Sequence, residues 1–193
     1  MPVRKIIARS AVGALVALSC LIGPAALALD WGLFPPAINS TSYEVRLGAY
    51  AHDPFKKEAG SADINAEFIF PRLFQVDPNW AFLVPRPQVG VMVNTAGKTS
   101  FAYFGGVWTI DVTRWFFIEP VAGGAIHTGE LDTRDPYREA FGCRTLFHIG
   151  GNAGIRLTEN WSIIGSWQHI SNAKLCTRNN GEDVYGGQIG YRF

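Results

Sequence analysis

The sequence predicts an all-β protein, an eight-stranded antiparallel transmembrane β-barrel, on three observations. Apolar residues recur at period two along about eight segments, the mark of strands with one greasy face. After the first 28 residues no apolar run approaches the ~20 residues of a membrane helix, although 13% of the chain is aromatic and 21 residues are glycine. The polar faces carry Glu44, Arg46, Asp63, Glu67, Glu119 and Arg156, which suit a polar lumen where they can pair while the apolar faces meet lipid. A soluble sandwich or lipocalin-like barrel is the competing architecture. It alternates too, but turns the greasy face inward.

The first segment is not part of this barrel. Arg4, Lys5 and Arg9 precede an apolar run from Ala11 to Ile22, and Ala26-Leu27-Ala28 offers small residues for cleavage. Residues 1–28 therefore read as a secretory signal peptide cut after Ala28, and residues 29–193 as the outer-membrane barrel domain. Ala17-Leu18-Ser19 before Cys20 is a poor lipoprotein box, which argues against a lipid anchor. Without the signal, three of the 17 basic residues are gone, leaving 14 against 16 acidic ones. A near-neutral chain gives no footprint for nucleic acid. Two cysteines remain, Cys143 and Cys176. In an oxidising compartment such an isolated pair is expected to bridge, and its spacing is not that of a zinc site. No metal or other cofactor is expected.

The strands follow in order. Tyr43, Val45, Leu47, Ala49 and Ala51 share one face, opposite Glu44, Arg46, Tyr50 and His52. Ala62, Ile64, Ala66, Phe68 and Phe70 oppose Asp63, Asn65 and Glu67. Val89, Val91 and Val93 alternate with Gln88 and Asn94, and the stretch around Trp80–Val84 is a candidate extension of this third strand. Thr99–Ile110 is aromatic and glycine-rich, and its facing is not evident. Phe116, Ile118 and Ala122 oppose Glu119 and His127. Phe147, Ile149, Ala153 and Ile155 oppose His148, Asn152 and Arg156. Trp161, Ile163 and Trp167 oppose Ser162, Ser166 and Gln168. Tyr185, Ile189, Tyr191 and Phe193 oppose Gln188 and Arg192, an aromatic ending similar to that of bacterial outer-membrane barrels.

With an even strand count both chain ends fall in the periplasm. The turns Asp111–Arg114 and Thr158–Asn160 are then periplasmic. The long polar segments Thr128–Gly142 and Asn172–Glu182 are external. Pro71–Pro87 is a misfit, being long for a periplasmic turn. The seventh strand ends in Trp167-Gln168-His169-Ile170-Ser171-Asn172. His169 and Ser171 share parity with Trp161, Ile163 and Trp167, so they face lipid near the outer leaflet. Counting back from Phe193 by twos reaches Asp183, which shares that outward face on the neighbouring strand. Glu182 has the opposite parity. A serine, a histidine and a carboxylate on one patch are the parts of a hydrolytic triad: a nucleophile, a base that titrates near neutrality, and an acid that fixes its tautomer. His52, His127 and His148 read as structural.

The segment HISNAKLCTRNNGED, His169–Asp183, resembles the lipid A 3-O-deacylase family of the Gram-negative outer membrane. His169, Ser171, Asn172 and Ala173 match its His-x-Ser-Asn-Ala run, Asn180-Gly181 matches the end of its loop, and Asp183 falls where it carries an acid, often glutamate. Lys174 stands where the family usually has glycine. The resemblance is specific only over these last residues. It implies a serine esterase acting on lipid A in the outer leaflet, with Ser171 as nucleophile, His169 as base, Asp183 as orienting acid and Asn172 at the oxyanion. Cys143 opens the sixth strand on the outer side and Cys176 lies in the loop after the neighbouring seventh, so a bridge between them could pin that loop above the site, and Lys174 and Arg178 in the loop could meet lipid A phosphates. A homodimer is left open. The competing functions are an outer-membrane phospholipase using the same triad, and a non-catalytic structural or adhesion barrel.

Overall fold

The computed structural model describes residues 42–74 and 83–193. Residues 1–28, read as the signal, and residues 80–82 of the suggested strand extension lie outside the described part. Leu83 and Val84 are described and are not strand. Nine strand segments follow: β1 (Glu44–His52), β2 (Ser61–Ile69), β3 (Arg86–Asn94), β4 (Phe101–Val107), β5 (Ile110–Asp111), β6 (Phe116–His127), β7 (Thr145–Arg156), β8 (Trp161–Ser171) and β9 (Glu182–Arg192). They form one antiparallel sheet in the order β4-β3-β2-β1-β9-β8-β7-β6-β5, and pairing of β4 with β6 closes it.

The closed sheet has eight staves, because β5 continues β4. Val107 opposes Val121 and Ile110 opposes Ile118, one unbroken register on β6. The break falls at Trp108 and Thr109, across from Pro120. Trp108 N–H still donates to the Pro120 carbonyl at 3.0 Å, but the proline nitrogen has no hydrogen to return. The glycine-rich stretch whose facing the sequence left unclear points Phe101, Tyr103 and Val107 inward and Phe104 outward.

The exposure pattern decides between membrane barrel and soluble sandwich. Leu47, Ile64, Phe104 and Phe147 are 50–61% exposed, while Arg46, Asp63, Asn65 and Arg86 are wholly buried. Charges inside and aliphatics outside suit a bilayer, where the outer wall needs no water. The buried charges are paired. Arg46 donates to Glu44 at 2.7 Å and forks onto Glu119 across the lumen at 2.7 and 3.0 Å. Arg86 takes the second Glu44 oxygen at 2.7 Å. The hydroxyl of Tyr103 donates to Glu67 at 2.9 Å.

Both ends of the described barrel meet at one rim, where Glu44 pairs with Arg192. Tyr43, Phe68, Phe70, Trp161, Tyr191 and Phe193 gather there, with ring centroids 4.7–6.3 Å apart between neighbours. Such a girdle marks a membrane interface. The tight turns at 112–115 and 157–160 lie at the same rim. At the opposite rim the lumen is stoppered by Tyr50, Met92, Phe101, Leu146, Ile170 and Val184, with Phe141 from the β6–β7 loop. A filled interior of this size is not a pore.

Candidate active site

Strand geometry places the candidate residues at the rim away from the chain ends. Along β8, Gln168 and Ile170 are buried in the lumen, so Trp167, His169 and Ser171 point out of the wall. Along β9, Glu182 is 1% exposed and luminal, so Asp183 points outward with them. His169 and Asp183 sit directly opposite each other in the β8–β9 register. The short aspartate arm spans the gap from that position, and Nδ1 of His169 meets Asp183 Oδ1 at 2.9 Å.

Asp183 is held from every side. Trp167 Nε1 donates to its Oδ1 at 3.0 Å, and Lys56 Nζ donates to its Oδ2 at 2.6 Å. The backbone N–H of Asp183 reaches Asp53 Oδ1 at 3.2 Å. Lys56 also donates to the Gly181 carbonyl at 2.8 Å. These contacts bring the β1–β2 loop over the site, and the sequence offered no signal for them. Alternation along a strand does not say where a loop lysine lands. Burial pushes the Asp53 carboxyl upward against the lowering effect of the Asp183 N–H.

Gly181 fixes the imidazole from the other side. A Cβ at this position would stand 2.7 Å from His169 Cε1 and 3.2 Å from Nε2. Only a glycine lets the loop pass so close to the ring. With Nδ1 turned to Asp183, Nε2 is the nitrogen left to act as base.

Ser171 is the third outward residue. Among the described residues no hydrogen bond joins it to His169. Two positions along a strand are separated by roughly 6.5 Å at Cα, so the side chains must lean together to bond. Ser171 and Ala173 line a groove of about 410 Å³ whose other walls include Ala122, Gly123, Phe147 and Ile149. The small residues of β6 leave room beside the serine, and Phe147 and Ile149 give the groove an apolar flank.

Asn172 is braced between the loops. Its side chain turns inward, 2% exposed, and Nδ2 donates to the carbonyls of Phe141 at 2.6 Å and Arg178 at 2.5 Å. Its backbone N–H is taken by Asn179 Oδ1 at 2.9 Å. The parity that sends Ser171 outward sends the Asn172 side chain inward, and both its side-chain and backbone donors have acceptors within the protein. The next two residues carry left-handed backbone, φ 52° at Ala173 and 67° at Lys174. Among the described residues neither of their N–H groups has a hydrogen-bond acceptor.

The loops over the site are laced together. Cys143 and Cys176 form a disulfide with Cα atoms 6.1 Å apart. Asn180 N–H donates to the Ala140 carbonyl at 3.1 Å. Arg178 pairs with Asp132 at 3.0 Å, both exposed, so it is not an uncommitted cation. Gly142, at φ +78°, allows the close approach, because a Cβ there would press on the Arg178 carbonyl. The other histidines are buried on the inner side of the wall. His127 bonds the Cys143 carbonyl at 2.7 Å and His148 bonds Gln168 at 2.6 Å. His52 is buried among carboxylates.

Comparison with known proteins places this geometry. No curated protein matches the chain. The crystal structure of the outer membrane enzyme PagL superposes with a TM-score of 0.57 at 16% identity, covering 77% of this chain and 98% of that one. The N-terminal β-barrel domain of Pseudomonas aeruginosa OprF gives 0.52 at 12% identity, covering 80% and 99%. A de novo designed transmembrane β-barrel gives 0.51 at 16% identity, covering 82% and 98%. These likenesses establish the fold of outer-membrane barrels. Residues 39–192 match the family described as lipid A 3-O-deacylase (PagL), and the chain belongs to that family.

Proposed function

We propose that this lipid A deacylase removes the ester-linked chain at the 3-O position by serine catalysis on the outer wall of the barrel. The carrying observation is the His169–Asp183 bond, formed through Nδ1 on the lipid side of the wall, two residues before Ser171. Ser171 Oγ attacks the ester carbonyl while His169 Nε2 takes its proton. Asp183 holds the tautomer and stabilises the imidazolium. Collapse of the tetrahedral intermediate breaks the bond to the sugar oxygen, and His169 returns the proton to that oxygen. Water then attacks the acyl-serine, again through His169, and releases the fatty acid.

The oxyanion falls to the N–H groups of Ala173 and Lys174, and Asn172 acts by bracing their turn. Each such donor is typically worth ~3–4 kcal/mol in the transition state. Ser171 and His169 come into bonding distance with substrate in the groove, as catalytic contacts often do. The groove receives the scissile acyl chain, and Lys174 meets a phosphate of the lipid A backbone. Residues 1–28 direct the chain to export, and residues 29–193 form the barrel in the outer membrane of a Gram-negative cell.

The test is mass spectrometry of lipid A from Gram-negative cells making the wild type or Ser171→Ala at equal outer-membrane level. The expected result is loss of one 3-O-hydroxyacyl mass with the wild type alone. Deacylation by the folded Ser171→Ala protein would sink the serine mechanism. Consumption of glycerophospholipid with lipid A unchanged would point to a phospholipase.

A further inference from the structure

A second cluster lies at the same rim, inside the wall. His52 closes β1, Asp63 lies near the start of β2 and Glu182 opens β9, and these are three adjacent staves. All three side chains are buried, at 0–1% exposure. His52 Nδ1 stands 2.9 Å from Asp63 Oδ2 and 3.4 Å from Glu182 Oε1. One ligand atom from each residue fits within 4.8 Å of the others.

The cluster is not self-sufficient. Both oxygens of Glu182 are buried without a hydrogen-bond partner, and so is Asp53 Oδ2 nearby. A buried carboxylate stripped of water and left with bare oxygens is costly. Three carboxylates share one imidazole, Asp63 and Glu182 at Nδ1 and Glu58 at Nε2. The neighbouring cations are engaged elsewhere: Arg138 lies 3.4 Å from Glu58, Lys56 is on Asp183 at 2.6 Å, and Lys98 caps the carbonyls of Glu58 and Ala59.

We propose that His52, Asp63 and Glu182 bind one divalent transition-metal ion, for which zinc is the probe, and that the ion staples β1, β2 and β9 together at the rim. The two distances from His52 Nδ1, 2.9 and 3.4 Å, suit the ion. Ligands bonded at about 2.0–2.1 Å to a tetrahedral or octahedral centre stand roughly 2.9–3.4 Å from one another. The donor set suits it too, because an imidazole nitrogen beside two carboxylates favours zinc-like ions over calcium or magnesium. The outer contacts complete the pattern. A ligating histidine commonly gives its other N–H to a carboxylate, and His52 Nε2 lies 3.2 Å from Glu58 Oε2. Asp63 is oriented by Asn94 Nδ2, which donates to Oδ1 at 2.8 Å and leaves Oδ2 for the ion. The ion takes no part in the ester chemistry. It fixes Glu182, and through the next peptide bond it fixes the strand that presents Asp183.

The experiment uses full-length refolded barrel without a histidine tag, carrying His169→Ala so that zinc on the exposed imidazole is not counted. After chelator treatment and dialysis, zinc chloride is titrated by calorimetry and melting is followed by heat-modifiable gel migration. The expected result is one zinc per chain with a raised melting midpoint. Binding is lost in Glu182→Gln and in Asp63→Asn, and is about 10–100-fold weaker in Glu58→Gln. The amide variants remove charge at nearly constant volume. Absence of saturable one-to-one binding in the folded His169→Ala barrel overturns the proposal, whatever the variants do. Undiminished binding by Glu182→Gln overturns it as well, and so does a preference for calcium over zinc.

Discussion

At the scale of single residues, Asp183 is the most heavily constrained group on the outer wall. Its two oxygens serve His169, Trp167 and Lys56 together. Asp183→Asn keeps the shape but lets Nδ1 face an amide, which favours the wrong tautomer. Deacylation by this variant should fall on the order of 10⁴-fold with the barrel folded, read as initial rate on purified lipid A. Lys56 acts through Asp183 and is a positioning residue. Removing its ammonium takes the donor from Asp183 Oδ2 and from the Gly181 carbonyl, so the carboxylate is held less firmly against His169. Lys56→Met should therefore lower kcat on purified lipid A with KM little changed and the denaturation midpoint unmoved, whereas a merely structural loss would lower the midpoint as well. The shared outward facing of His169, Ser171 and Asp183 was legible in the sequence because strand parity is a strict rule and all three obey it. Lys56 and Gly181 were not, because their roles come from where loops fold back, and no periodicity records that. The alternation that exposes Ser171 turns the Asn172 side chain inward.

At the scale of elements, the loops form a buttress. The disulfide closes a separation of 33 residues between Cys143 and Cys176. By loop-closure entropy it contributes about 3–4 kcal/mol. Replacing both cysteines with serine should lower the denaturation midpoint accordingly, measured by gel migration without reductant. It should also reduce turnover, because the Ala173–Lys174 turn hangs from the same loop. The β1–β2 loop has its own clamp in Glu58. Burial pushes this carboxyl up, but His52, the N–H groups of Glu139 and Thr99 and the charge of Arg138 outweigh that and hold it at about 2. A depressed folded value means the contribution is fully present above the ordinary glutamate range and is lost as pH falls through about 2. The amide resonances of Thr99 and Glu139 should follow a titration centred there. A transition near the ordinary glutamate value would contradict the clamp. The strands themselves were readable. The break between β4 and β5 was not, because it depends on which residue Pro120 faces, and register is set by the whole sheet.

At the scale of the whole molecule, the fold is an apolar shell around a charged axle. Arg46 is that axle, tying β1 to β6 through Glu119 and holding Glu44 beside it. Arg46→Met should destabilise the barrel by about 3–5 kcal/mol, because it strands buried carboxylates. The matching change of Glu119→Gln in the same chain should recover part of that loss. Folding yield into detergent against urea checks both. The sequence announced this inversion plainly, since charged residues at period two beside aliphatics leave few other homes. It did not announce the plug, because Phe141 belongs to a loop and Ile170 and Val184 break the polar pattern of the inner face only at its end.

The outward placement of the trio has a kinetic consequence. On the proposed mechanism the reacting groups open onto the bilayer plane, and the described interior of the barrel is filled by side chains. Encounter with substrate is therefore two-dimensional, governed by lateral diffusion and by the mole fraction of substrate among its neighbours. Turnover in mixed micelles should fall as inert amphiphile is added at constant bulk lipid A, and adding water alone should leave it nearly unchanged. Such surface dilution would distinguish a catalyst that reads its substrate sideways from one that draws it out of solution.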